Sequence, residues 1–123
     1  MRGWMLVLGS VLMFQATGQA EERVLKHVVM YQFKAHLTPA QVQEVVDAFA
    51  ALPRQIDTIV GFEHGTNVSQ EGKSEGLTHL FVVMFRSQAD LEAYLVHPAH
   101  RAYVNLVRDR REKVIVFDYW STR

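Results

Sequence analysis

Three observations predict the fold class. Four stretches alternate apolar residues with the two-residue period of strands. Capped helical patterns follow the first and third stretches. Both faces of those strands carry apolar side chains. The order β-α-β-β-α-β is that of an α+β, ferredoxin-like βαββαβ sheet with both helices on one face. The 123 residues suit one domain, and a 49% hydrophobic content is too high for a disordered chain.

The first strand is read over Val24 to Lys34, V-L-K-H-V-V-M-Y-Q-F-K. Its alternation sets His27, Val29, Tyr31 and Phe33 on one face and Val28, Met30 and Gln32 on the other. Thr38-Pro39-Ala40-Gln41 is a helix start: Thr38 caps, Pro39 fits the first helical position, and Gln41 completes a capping box. Val42, Val45, Val46, Phe49 and Leu52 then recur at helical spacing, and Pro53 closes the helix at about Leu52. A second strand is expected over Thr58 to Asn67, with a bulge or bend at Gly61. After a polar loop, Leu77 to Arg86 reads as the third strand, with His79, Phe81, Val83 and Phe85 on one face.

Ser87 and Asp90 open the second helix, whose apolar side is Leu91, Tyr94 and Leu95. His97-Pro98 interrupts it, and Pro98 starts a further helix with Tyr103, Val104, Leu106 and Val107 buried. Arg101, Arg108, Arg110 and Arg111 read as its solvated face. Lys113 to Trp120 closes the sheet. Helices on one face leave the other, equally apolar, face bare. A second copy of the same sheet is the economical cover, giving a two-fold dimeric α/β barrel.

Residues 1–20 have the three-part layout of an export signal. Arg2 is the positive segment, Met5 to Phe14 the apolar one, and Gly18 and Ala20 fit the small-residue cleavage positions. The alternative is an N-terminal anchor helix that is never cleaved; with cleavage the remaining domain is 21–123, without membrane attachment, and a periplasmic or secreted location is expected. Balanced charge, with 13 basic and 13 acidic residues, argues against a nucleic-acid partner. The absence of cysteine excludes disulfides, thiolate zinc sites and cysteine nucleophiles. His97 and His100 flank a proline, but no carboxylate stands at ligand spacing nearby, so neither a metal nor another cofactor is expected. His97 reads instead as a helix-end residue fixing the Pro98 turn.

Several segments together resemble the stress-responsive dimeric α/β-barrel (Dabb) family: K26-H27-V28-V29-M30, G65-T66-N67-V68-S69, G76-L77-T78-H79, Y94-L95-V96-H97-P98-A99-H100 and V116-F117-D118-Y119. The resemblance spans about residues 24–120 and implies the fold and a homodimer, but no single activity. One plant member is a polyketide cyclase with a pocket between sheet and helices. Its catalytic tyrosine and histidine map onto Tyr94 and His100, and two pocket histidines onto His27 and His79. Its helix-1 pocket tyrosine is matched here by Phe49, so one polar group is missing.

Physical chemistry gives these residues two readings. An imidazole titrates near neutrality, so His100 can act as a base while the Tyr94 phenol polarises a carbonyl oxygen. The Pro98 break lets the two converge although they are six residues apart. The plain alternative is that His100 caps a helix end and Tyr94 simply packs with its hydroxyl satisfied. His27 and His79 are equally readable as hydrogen-bonded core histidines. Three functions stay open: a dimeric binding protein for a small apolar or oxo compound, with a pocket lined by Tyr31, Phe49, Tyr94 and the histidines; a cofactor-free enzyme of polyketide-cyclase type using Tyr94 and His100; and an oxygenase- or haem-related activity by fold analogy.

Overall fold

A computed structural model of the chain describes residues 23–122. The expected export signal lies outside them. The elements are β1 (Val24–Phe33), α1 (Pro39–Ala51), β2 (Gly61–Thr66), β3 (His79–Phe85), α2 (Gln88–Val96), α3 (Pro98–Val107) and β4 (Arg111–Ser121). The sheet order is β2-β3-β1-β4 with every neighbouring pair antiparallel. β3 therefore sits between β1 and β2, which is the split βαβ arrangement of the ferredoxin-like fold. Among the described residues, no helix is long and apolar enough to cross a membrane.

Local chemistry accounts for the helix starts. Thr38 Oγ1 accepts from the Gln41 amide at 3.2 Å, and Gln41 Oε1 accepts from the Thr38 amide at 2.9 Å. Ser87 Oγ accepts from the Asp90 amide at 3.1 Å. Each cap satisfies donors that the first turn leaves unpaired. Pro53 ends α1 through a short 3-10 turn over Leu52–Arg54.

One sheet face meets the helices. Leu25, His27, Val29 and Tyr31 of β1 alternate into this layer, as do Phe81, Val83 and Phe85 of β3. They pack on Val45, Val46 and Phe49 of α1, Leu91 and Tyr94 of α2, and Tyr103 and Val107 of α3. Phe49 lies nearly parallel to Phe81, with centroids 4.3 Å apart. Removing such a buried ring costs about 3–5 kcal/mol.

The opposite face carries Val28 and Met30 of β1, Leu80, Val82 and Met84 of β3, and Ile115, Phe117 and Tyr119 of β4, as the strand registers require. Phe117 is 61% exposed and Ile115 39%. Such a contiguous apolar surface marks an interaction face.

Several boundaries differ from the sequence expectation. β2 begins at Gly61 and β3 at His79, because residues 57–58 turn and the chain before His79 belongs to the loop. Gly61 marks no bulge. It is the first residue of β2, where an added Cβ would lie 2.7 Å from Met84 Sδ. The register shift falls instead between Gln32 and Phe33, where β1 meets β4. α3 ends at Val107, so Arg110 and Arg111 are not part of its face. Arg110 turns back to Glu44 of α1 and to the Gln41 carbonyl, both by Nη1. Arg111 opens β4.

Candidate active site

The Pro98 break brings Tyr94 and His100 together. Tyr94 ends the buried stripe of α2, and His100 lies in the first turn of α3. Their ring centroids are 4.4 Å apart. Two histidines fix the break with opposite hydrogen-bonding roles. His97 Nδ1 accepts from the Ala99 amide at 3.0 Å and so caps α3. His100 Nδ1 donates to the Leu95 carbonyl at 3.0 Å, closing the end of α2. That bond places the proton on Nδ1 and leaves the Nε2 lone pair of a neutral His100 free.

Beneath this pair, His27 packs edge-on against the Tyr94 ring at 5.8 Å. His27 Nδ1 donates to Asp118 Oδ1 at 2.6 Å. The strand register explains the contact, since His27 and Asp118 are direct partners across β1 and β4. Phe85 completes the surroundings, 5.1 Å from Tyr94. Asp118 is a site residue that strand periodicity does not point to. The signal was present, as a lone carboxylate inside the apolar run V-I-V-F-D-Y-W.

Burial tunes the group. Tyr94 is 1% exposed. Its hydroxyl is pushed well above the ordinary phenol range, chiefly by burial and then by the Tyr31 phenol, so it stays protonated at neutral pH. His100 is held below the ordinary histidine value. Burial lowers it, the Leu95 carbonyl opposes that shift, and His27 adds to it. A neutral imidazole with a free Nε2 beside a protonated phenol is competent to take a proton while donating a hydrogen bond.

The other expected site residues occupy different places. Tyr31 and Tyr103 form a second polar group in the interior, with hydroxyls 2.9 Å apart. Burial pushes the Tyr31 phenol up, against the lowering effect of the Tyr103 bond and of Arg111. Phe49 packs 4.7 Å from Tyr103 and joins this aromatic group. His79 pairs with Tyr31 in register, four residues along β1 from His27, which is roughly 13 Å. It therefore shares the sheet face of His27 without meeting it. Its ring packs on Phe33 at 5.1 Å, and its Nδ1 bonds Thr78 Oγ1 at 2.8 Å. Burial holds His79 below the usual histidine range, with His64 adding to the effect.

Among the described residues, two surface clefts include site histidines. One, of about 690 Å³, lies under the β2–β3 loop and includes His64 and His79. The other, about 410 Å³, runs along α3 and includes His100. No group of three or more candidate metal ligands occurs among the described residues.

Residues 25–121 match the family model of the Stress responsive A/B Barrel Domain, Dabb. Olivetolic acid cyclase of Cannabis sativa is 34% identical over 95 residues, which are 77% of this chain and 94% of that protein. A crystal structure of an Arabidopsis thaliana protein superposes with a TM-score of 0.74 at 33% identity, covering 77% of this chain and 92% of the other. A dimeric ferredoxin-like protein of unknown function from Jannaschia sp. superposes with a TM-score of 0.67 at 28% identity, covering 78% and 97%.

Proposed function

Since the chain belongs to the Dabb family, we propose that it binds a small carbonyl compound between sheet and helices and performs cofactor-free acid–base chemistry on it at Tyr94 and His100. The observation that carries this reading is the 4.4 Å approach of the two rings, with His100 hydrogen-bonded so that Nε2 is the free nitrogen. The relation to a cyclase makes carbon–carbon ring closure the natural outcome.

His100 Nε2 takes a proton from the carbon beside a carbonyl. The electron pair of that C–H bond moves to the carbonyl oxygen, which accepts a hydrogen bond from the Tyr94 hydroxyl. The enolate carbon then attacks a second carbonyl of the same molecule, forming the C–C bond. The oxygen of that second carbonyl takes the proton back from His100. General acid–base steps of this kind supply roughly 10²–10⁴-fold each. His27, oriented by Asp118, braces the Tyr94 ring from the sheet side.

The working unit in this reading is an exported homodimer. The apolar face of β1, β3 and β4 supports pairing of two sheets, and a 28% identical structure is described as dimeric. Export rests on the signal-like layout of residues 1–20.

Deuterium uptake into the methyl group of acetophenone, followed by NMR, tests the chemistry. The protein is expected to accelerate uptake, and Tyr94→Phe and His100→Gln to remove the acceleration. Ligand-induced shifts of the His100 ring without any uptake would leave a binding protein and end the acid–base reading.

A further inference from the structure

The cleft along α3 suits a charged ligand. Arg101, Val104, Asn105 and Arg108 follow the i, i+3, i+4, i+7 spacing of one helix face and line it together with Leu95 and His100. Its volume is about 410 Å³. Leu95 and Val104 give it an apolar part, and the two guanidinium groups give it positive charge without a lining carboxylate. His100, held below its ordinary value by burial, adds little to that charge near neutrality.

The two arginines contrast with others nearby. Arg110 is held by Glu44, and Arg23 lies over the Trp120 ring at 4.8 Å. Arg111 is drawn to the Tyr31 phenol. Arg101 and Arg108 are exposed and have no ion pair among the described residues. Guanidinium groups a cleft apart and uncommitted are suited to a carboxylate, which they bind through paired N–H donors.

His100 belongs both to this cleft and to the Tyr94 pair. We infer that the cleft is the anion-binding mouth of the site and that the substrate is an oxo acid. Its carboxylate rests on Arg101 and Arg108, and its carbonyl reaches Tyr94 and His100. The inference rests on the acid–base reading above for the carbonyl end, but the carboxylate contact stands on its own observations. Arg101 and Arg108 act in it as specificity residues, and neither touches the reacting atoms.

Two probes of equal size separate charge from shape: 4-acetylbenzoate and 4-acetylbenzamide. Both carry the same methyl ketone, so binding and methyl deuterium uptake are read for each by NMR. The acid is expected to bind at least about tenfold more tightly than the amide. That preference is expected to shrink by about tenfold in Arg101→Gln and in Arg108→Gln, and to fall in 0.5 M salt, with amide binding unchanged. Equal binding of acid and amide, or a preference that survives both substitutions, overturns the inference. If uptake proceeds equally for the two probes and ignores the arginines, the acid–base chemistry stands and the anion site falls. Arginine-dependent binding of the acid with no uptake from either probe keeps the anion site and removes the acid–base chemistry.

Discussion

His27 and Asp118 join the central strand to the last one through a 2.6 Å bond on the helix side of the sheet, directly beneath Tyr94. The histidine side chain is 7% exposed and the carboxylate 38%, so water screens one end of the pair. Asp118→Asn removes the charge and keeps the shape. The expected loss is about 1 kcal/mol of stability, since a half-screened pair is worth far less than a sealed one. Urea unfolding measures it, and nitrogen NMR of the His27 ring reports whether the tautomer loses its preference. An unchanged ring spectrum would mean that Asp118 does not orient His27.

Tyr94→Phe isolates the phenol. The ring keeps its place among His27, Phe85 and His100, so the unfolding midpoint should shift little. Uptake of deuterium by acetophenone should drop by about 10²–10³-fold, the usual effect of losing one donor to a developing oxyanion. A loss of stability with uptake intact would make Tyr94 a packing residue.

The pH dependence has a definite sign. His100 and His79 both titrate below the ordinary histidine value of the unfolded chain. Between that value, near 6.5, and their folded values, the unfolded chain binds more protons than the folded one. Stability from these groups is therefore complete above about pH 6.5 and declines as the pH falls through the window below it. His100→Gln and His79→Gln should each flatten part of this slope in urea titrations at several pH values. The activity profile should stay level well below pH 6.5 and fall only at the lowered value of His100. A fall centred at or above 6.5 would contradict a buried neutral base.

Tyr31 and Tyr103 invite a double-mutant cycle. Each single change to Phe leaves the other hydroxyl buried without its 2.9 Å partner, at a cost of about 1–3 kcal/mol. Replacing both removes the orphan, so the double variant should lose less than the sum of the single ones. Thermal or denaturant unfolding of the four proteins decides it, and strict additivity would mean that the two hydroxyls do not depend on one another.

Phe117→Glu tests the sheet face. Phe117 lies in the middle of the exposed apolar surface, beside Val28 in register. A carboxylate there should convert the proposed homodimer to monomer in sedimentation at micromolar concentration, with the strand content of the circular dichroism spectrum retained. Unchanged sedimentation would move the interface elsewhere.

Much of this was legible in the sequence because periodicity reports burial. The alternation grouped His27, Val29 and Tyr31 on one face of β1, without saying which face meets the helices, and Thr38, Ser87 and Pro98 marked the helix starts. Pro98, four residues after Tyr94 and two before His100, allowed the two to converge, but the break alone does not fix the direction of the bend, so their meeting is read only from the structure. Register was not readable. Whether His79 faces His27 or stands four residues away depends on how β3 slides along β1, and alternation is the same for every even shift. The same limit hid the His27–Asp118 pair, whose members are 91 residues apart. Arg110 and Arg111 were assigned to the helix because nothing in composition marks the turn after Val107.

His97 and His100 bracket Pro98 with opposite protonation at Nδ1: one must be bare to accept, and the other must carry hydrogen to donate. The backbone at this bend thus works as a sorter of tautomers: the ring beside Tyr94 takes its hydrogen placement from a peptide carbonyl, whereas His27 takes its own from a carboxylate.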